Sequence, residues 1–253
     1  MTKLFTFFGA DTKVGTTMTA HSFARALAKM YPDKTTILLH TDGDDGADYY
    51  KAENGGFDDI KFTLLKNCTK ASEINKICDI KDNLWILPGF SDYLSYSWYE
   101  PSDFWFLINL LDGDFDFIVV DGGANLNSAL TVGALDNEHK PSTIESVEIL
   151  VTNQQPKSLK EFKKRNENVF RKVNFSFDYL LVNRYQEVKV LPIYQQVAKN
   201  YGFDECFVLS NVANGAALIA EIDQKTMFEL DPKRYQKEIM FFADFLTNEE
   251  SDK

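Results

Sequence analysis

The chain has 253 residues, 44% of them apolar and 14% aromatic, enough to fill the core of one large domain or two small ones. A formal charge of −11 and an isoelectric point near 4.8 set a field that repels nucleic acid and anionic lipid, so neither is an expected direct partner. Three cysteines without a Cys-x-x-Cys pair, an N-terminus with no leader pattern and no apolar run of about 18 residues argue against a disulfide scaffold, a zinc knuckle, export and a membrane span, and a cytoplasmic location is expected.

Leu4-Phe5-Thr6-Phe7-Phe8 is a short apolar run suited to a buried parallel strand. It leads into Gly9-Ala10-Asp11-Thr12-Lys13-Val14-Gly15-Thr16-Thr17, after which Ala20, Phe23, Ala24, Leu27 and Ala28 recur three and four apart on one helical face. Strand, glycine turn and helix is the arrangement of a phosphate-binding loop. In such a loop backbone N–H groups wrap an anion, a lysine neutralises it and a Ser or Thr hydroxyl holds Mg²⁺. Here Gly15 and Thr17 keep the glycine and the hydroxyl, while Thr16 stands at the lysine position, Ala10 at the leading glycine position, and the nearest cation is Lys13. The alternative is an ordinary strand-to-helix turn that uses Gly15 for its conformation.

Further strands are predicted at 35–39, 84–87, 115–120, 148–152, 179–183 and 206–209. Helical patterns follow Ser102 as a cap (104–111), Pro156, Pro192 and Pro232. Strands separated by helices predict an α/β fold, a doubly wound and mostly parallel sheet with helices on both faces, forming a single domain over 1–253. Ligands of such sheets bind beyond the carboxyl ends of the strands. The special residues do follow strands: the glycine loop, then His40-Thr41-Asp42, then Asp121, then Asn183-Arg184-Tyr185. Asp121 reads either as the metal-side partner of Thr17 or as a turn acid.

Two other stretches each carry two readings. Lys157, Lys160, Lys163, Lys164, Arg165, Arg171 and Lys172 form either a solvated helix face or a docking patch for something acidic. Phe90, Tyr93, Tyr96, Trp98, Tyr99, Phe104, Trp105 and Phe106 form either core packing beneath a loop or an exposed partner surface. His21, His40 and His139 have no metal-ligand spacing.

In order and spacing these segments resemble the MinD/ParA group of P-loop ATPases, the CobQ/CobB/MinD/ParA nucleotide-binding domains, over residues 3–220. The family's deviant loop reads Lys-Gly-Gly-x-Gly-Lys-Thr, and Asp11 to Thr17 falls on it. Residues 38–42 fall on its Asp-x-Asp segment, 115–121 on its Walker B strand, 150–153 on its Val-Thr-Asn strand end, and 181–185 on the segment that contacts adenine. The resemblance implies a nucleotide site of Asp11, Thr12, Lys13, Val14, Gly15, Thr16, Thr17, Asn183 and Arg184. It also implies Mg²⁺ at Thr17 and Asp121, Asp42 as the water-orienting catalytic acid, ATP as the cofactor, and either a homodimer or another protein as partner.

Three positions depart from that pattern. The family's signature lysine, which crosses a dimer to the partner's nucleotide, corresponds to Asp11, its Walker lysine to Thr16 and the first acid of Asp-x-Asp to His40. A single cation at developing phosphate charge is worth about 10³ to 10⁵ in rate. Weak ATP binding with little hydrolysis is therefore expected: a regulatory or localising pseudo-ATPase. Around the Val-Gly-Thr core the chain is similar to the atypical branch of pilus-assembly localisation proteins TadZ and CpaE. A slow Mg²⁺-dependent ATPase using Lys13 and Asp42 is the second reading, and a nucleotide-free interaction scaffold the third. The C-terminal helix, about 232–247, suggests MinD's membrane-targeting helix. The acidic tail after it favours docking onto the sheet.

Overall fold

The computed structural model describes residues 2–42, 49–50, 55–60, 70–90, 98–126, 128–212, 216–231 and 233–248. Tyr93, Tyr96, Pro232 and the acidic tail lie outside them. Strands β1 (Lys3–Gly9), β2 (Thr36–His40), β3 (Asp79–Lys81), β4 (Leu84–Leu87), β5 (Phe117–Gly123), β6 (Glu145–Thr152), β7 (Tyr179–Tyr185) and β8 (Phe207–Ser210) build one sheet in the order β3-β4-β2-β5-β1-β6-β7-β8. Every pairing is parallel except the short edge strand β3, which runs antiparallel to β4. The helices are α1 (Thr16–Met30), α2 (Ala71–Ile77), α3 (Pro101–Leu111), α4 (Ala129–Ala134), α5 (Pro156–Arg165), α6 (Tyr194–Tyr201), α7 (Ala216–Asp223), α8 (Met227–Leu230) and α9 (Tyr235–Asn248). The predicted α/β architecture is thus the observed one.

Because successive strand residues point to opposite faces, β1 feeds two apolar layers. Leu4 and Phe8 join Phe104 and Ile108 of α3 and Phe162 of α5 on one side of the sheet. Phe5 and Phe7 join Phe23 of α1 and Phe242 of α9 on the other. The Phe23 ring lies 5.0 Å from Phe5, 5.1 Å from Phe7 and 5.7 Å from Phe242. Each such buried ring contributes about 2–3 kcal/mol, which fixes α1 on the sheet and α9 on α1. The C-terminal helix therefore docks as expected, burying Tyr235, Ile239, Phe242, Ala243 and Leu246 while Phe241 is exposed. Of the aromatic stretch, Phe90, Tyr99, Phe104 and Trp105 are core, and Trp98 is exposed.

Element boundaries differ from the predicted ones for local reasons. Helix α3 starts at Pro101 rather than after Ser102, because Glu100 is the cap and its N–H donates to the Asp103 carboxylate at 2.7 Å. Helix α9 starts at Tyr235 because Asp231 accepts from the Arg234 and Tyr235 amides at 3.3 and 3.4 Å. Strand β3 and helices α2, α4, α7 and α8 are additional to the predicted elements. The β3–β4 turn is made by Asp82 with φ 58, a left-handed residue of the type that tight hairpins require.

Candidate functional site

The loop from Gly9 to Thr17 leaves the carboxyl end of the central strand, with Ala10 N still donating to Val151 O of β6 at 2.8 Å. Gly15 has φ 89 and directly precedes α1. A Cβ there would collide with the side chain of Asn183, whose Nδ2 donates to Val14 O at 2.9 Å. Glycine is needed both for the left-handed backbone and for that close approach. The first helical bond runs from Thr19 N to Gly15 O at 3.0 Å, so the amides of Thr16, Thr17 and Met18 precede the hydrogen-bond ladder and form the positive end of α1. Thr16 is buried, Thr17 half-buried, and Thr12 and Lys13 are exposed, Lys13 with φ 64.

Positive charge reaches this loop from other elements. Arg184, at the end of β7 with φ 55, holds its Nε 3.8 Å from the place a Cβ on Gly15 would take. Burial pushes the Tyr235 phenol up to about 12, and the nearby Arg184 charge acts in the opposite direction. From α5, Lys157 pairs with Asp11 Oδ2 at 3.6 Å and Arg165 Nη1 donates to Gly9 O at 3.1 Å. Asp11 is buried, and its Oδ1 accepts from Thr12 N at 2.8 Å. Helix α5 is aimed by Asn153, whose Oδ1 accepts from Gln155 N and Ser158 Oγ, both at 2.9 Å.

The acids stand on neighbouring strands. Asp121 pairs in register with Phe7 of β1 and His40 of β2 and is fully buried. Its Oδ2 lies 3.3 Å from His40 Nδ1, and its Oδ1 accepts from Gly123 N at 3.1 Å. His40 Nε2 in turn lies 2.7 Å from His21 Nε2, with both rings buried and Tyr50 stacked against His40. One ring N–H bridges the two Nε2 atoms, and His40 Nδ1 faces the Asp121 carboxylate. Asp42 is half-buried: its Oδ1 accepts from Asn125 N at 2.6 Å, and its carboxylate fills the space a Cβ on Gly123 would need. Thr41 N and Oγ1 both donate to Asp121 O, at 3.0 and 3.2 Å, tying the Asp42 segment to β5.

At the Mg²⁺ site implied at Thr17 and Asp121 the carboxylate is already engaged within the protein. One Asp121 oxygen accepts from Gly123 N and the other lies against the buried His40 ring, so it is a poorer ligand for a hydrated cation than a free carboxylate would be.

Of the expected site residues, Asp11, Val14, Gly15, Thr16, Asn183 and Arg184 form one cluster around the loop, with Thr12 and Lys13 on its exposed side and Thr17 in the first helical turn. Asp42 and Asp121 meet separately, around Gly123. Lys157, Arg165 and His21 were not expected here. Lys157 follows Pro156 just beyond the end of β6, so the rule that ligands gather at strand ends was the signal available for it.

No family model matches the chain, and no curated protein sequence matches it. Solved structures do. A ParA family ATPase from Chlorobium tepidum superposes with a TM-score of 0.80 at 18% identity, covering 96% of this chain and 99% of that one. MinD from Pyrococcus horikoshii, complexed with Mg-ADP, gives 0.74 at 17% identity over 97% and 96%. A putative plasmid partition protein from Borrelia burgdorferi, bound to AMPPNP, gives 0.69 at 18% over 98% and 100%. The chain therefore has the fold of the ParA and MinD P-loop ATPases.

Proposed function

We propose that this chain is a MinD/ParA-like nucleotide-binding protein, similar to the TadZ/CpaE branch, that acts as a regulatory or localising pseudo-ATPase in the cytoplasm and holds ATP weakly with little turnover. The observation that carries the reading is the loop itself. A left-handed Gly15 presents the first amides of α1 at the carboxyl end of the central strand, with Arg184 beside it. Backbone amides and a helix dipole favour a phosphate even where the loop has Thr16 in place of lysine. Thr12 to Thr17 would take the phosphates. Asn183 would lie toward the base, next to a cavity of about 430 Å³ lined by Tyr185, Gln186, Glu187, Val188, Asn211 and Arg234, and Arg184 would stand between the base and the phosphates.

Low turnover follows from chemistry rather than from the fold. Neither Thr16 nor Asp11 supplies the cation that phosphoryl transfer needs, and Asp121 is engaged by His40. Asp42 keeps the alternative of a slow ATPase open to test. Output would then come from a protein partner or a second copy that senses the occupied loop. Titrating labelled ATP against the wild type and Gly15→Ala tests the reading: saturable binding that the substitution removes supports it, and no binding by the wild type leaves only the scaffold alternative.

A further inference from the structure

We infer that the loop takes its nucleoside polyphosphate without a divalent metal ion, its charge being met by side chains. The inference rests on the nucleotide reading and narrows it to metal-free nucleotide. Two independent observations converge on it. The first is the state of the carboxylates: Asp121 lies against His40 Nδ1 and Gly123 N, and Asp42 accepts from Asn125 N while packed on Gly123. A small, strongly hydrated cation such as Mg²⁺ is normally held by one or two carboxylates together with phosphate oxygens. Here the imidazole of His40 stands against Asp121, and it is itself backed by His21 at 2.7 Å, so the arrangement is built into the core rather than imposed at the surface.

The second observation is where the cations are. Lys13 sits on the loop, Arg184 reaches it from β7, and Lys157 and Arg165 reach it from α5. Among the described residues, the acids that pair with them are Asp11, 3.6 Å from Lys157, and Glu161, 3.7 Å from Arg165. Among the described residues, four cations against the two carboxylates paired with them leave positive charge beside the loop of a chain whose overall charge is −11. A guanidinium does not lose its proton at any ordinary pH, so the surplus persists without metal.

The test is an equilibrium titration of ATP on the full chain, run once with saturating MgCl₂ and once with excess EDTA. The expected dissociation constants agree within about twofold, and Arg184→Gln weakens both by about tenfold. His40→Ala, which removes the Nδ1 donor from Asp121, is expected to make binding magnesium-dependent. A thermal melt checks that each variant folds, and if His40→Ala does not, the wild-type ratio with Arg184→Gln decides alone. Binding by the wild type that strengthens about tenfold or more with magnesium overturns the inference and leaves the nucleotide reading standing. No binding in either buffer overturns the nucleotide reading, and the inference falls with it.

Discussion

Asp121 and His40, in register on adjacent strands, close on each other with Oδ2 3.3 Å from Nδ1 and both side chains fully buried. Removing one partner of a buried, hydrogen-bonded pair leaves the other without compensation, at a cost of about 3 kcal/mol. His40→Ala should therefore lower the free energy of unfolding by roughly that amount in urea denaturation. The exposed pair His139–Asp136 provides the control: His139→Ala should shift stability by less than about 0.5 kcal/mol.

Gly15→Ala forces a side chain into a left-handed backbone and against Asn183. A loss of about 1–2 kcal/mol is expected, together with loss of ATP binding. Adding Asn183→Ala removes the collision but not the φ strain, so the double variant should recover part of the stability. Denaturation of the two single variants and the double variant measures that coupling directly.

Asp11 places a carboxylate beside the phosphate site, held by Lys157 at 3.6 Å. Asp11→Asn removes the repulsion and frees the ammonium, so ATP should bind about fivefold more tightly, close to 1 kcal/mol. Lys157→Ala should weaken binding by a similar factor. Paired titrations at low ionic strength give both values.

Glu148 on β6 is buried on the sheet, and that burial, reinforced by Asp178, raises its carboxyl from 4.5 to about 7. A raised acid in the folded state stabilises at low pH, and the contribution is lost as pH climbs from about 4.5 through about 7. The full effect is of order 3 kcal/mol. Thermal melts should therefore show stability falling over that window. Glu148→Gln should flatten the profile and be the more stable protein at about pH 8.

Much of the architecture was legible because β1 and the segments near residues 118, 150 and 181 are apolar runs, separated by helices whose apolar faces repeat every three or four residues. The loop was legible from Gly15 and Thr17 following a strand. The partners of the loop were not. Lys157 and Arg165 lie about 140 residues or more away in sequence, and a basic helix looks the same whether it faces solvent or a backbone carbonyl. His21 and His40, 19 positions apart, meet only because α1 packs across β2, a relationship that no local spacing encodes. The start of α3 escaped because a Glu100–Asp103 box overrides a serine two places later.

The most direct measurement follows bound ATP and released phosphate in one sample, for the wild type and for Asp42→Ala. Saturable binding with ATP left intact, and no difference in phosphate release between the two proteins, is the expected result. Release that depends on Asp42 would contradict it, and would make this chain a working ATPase.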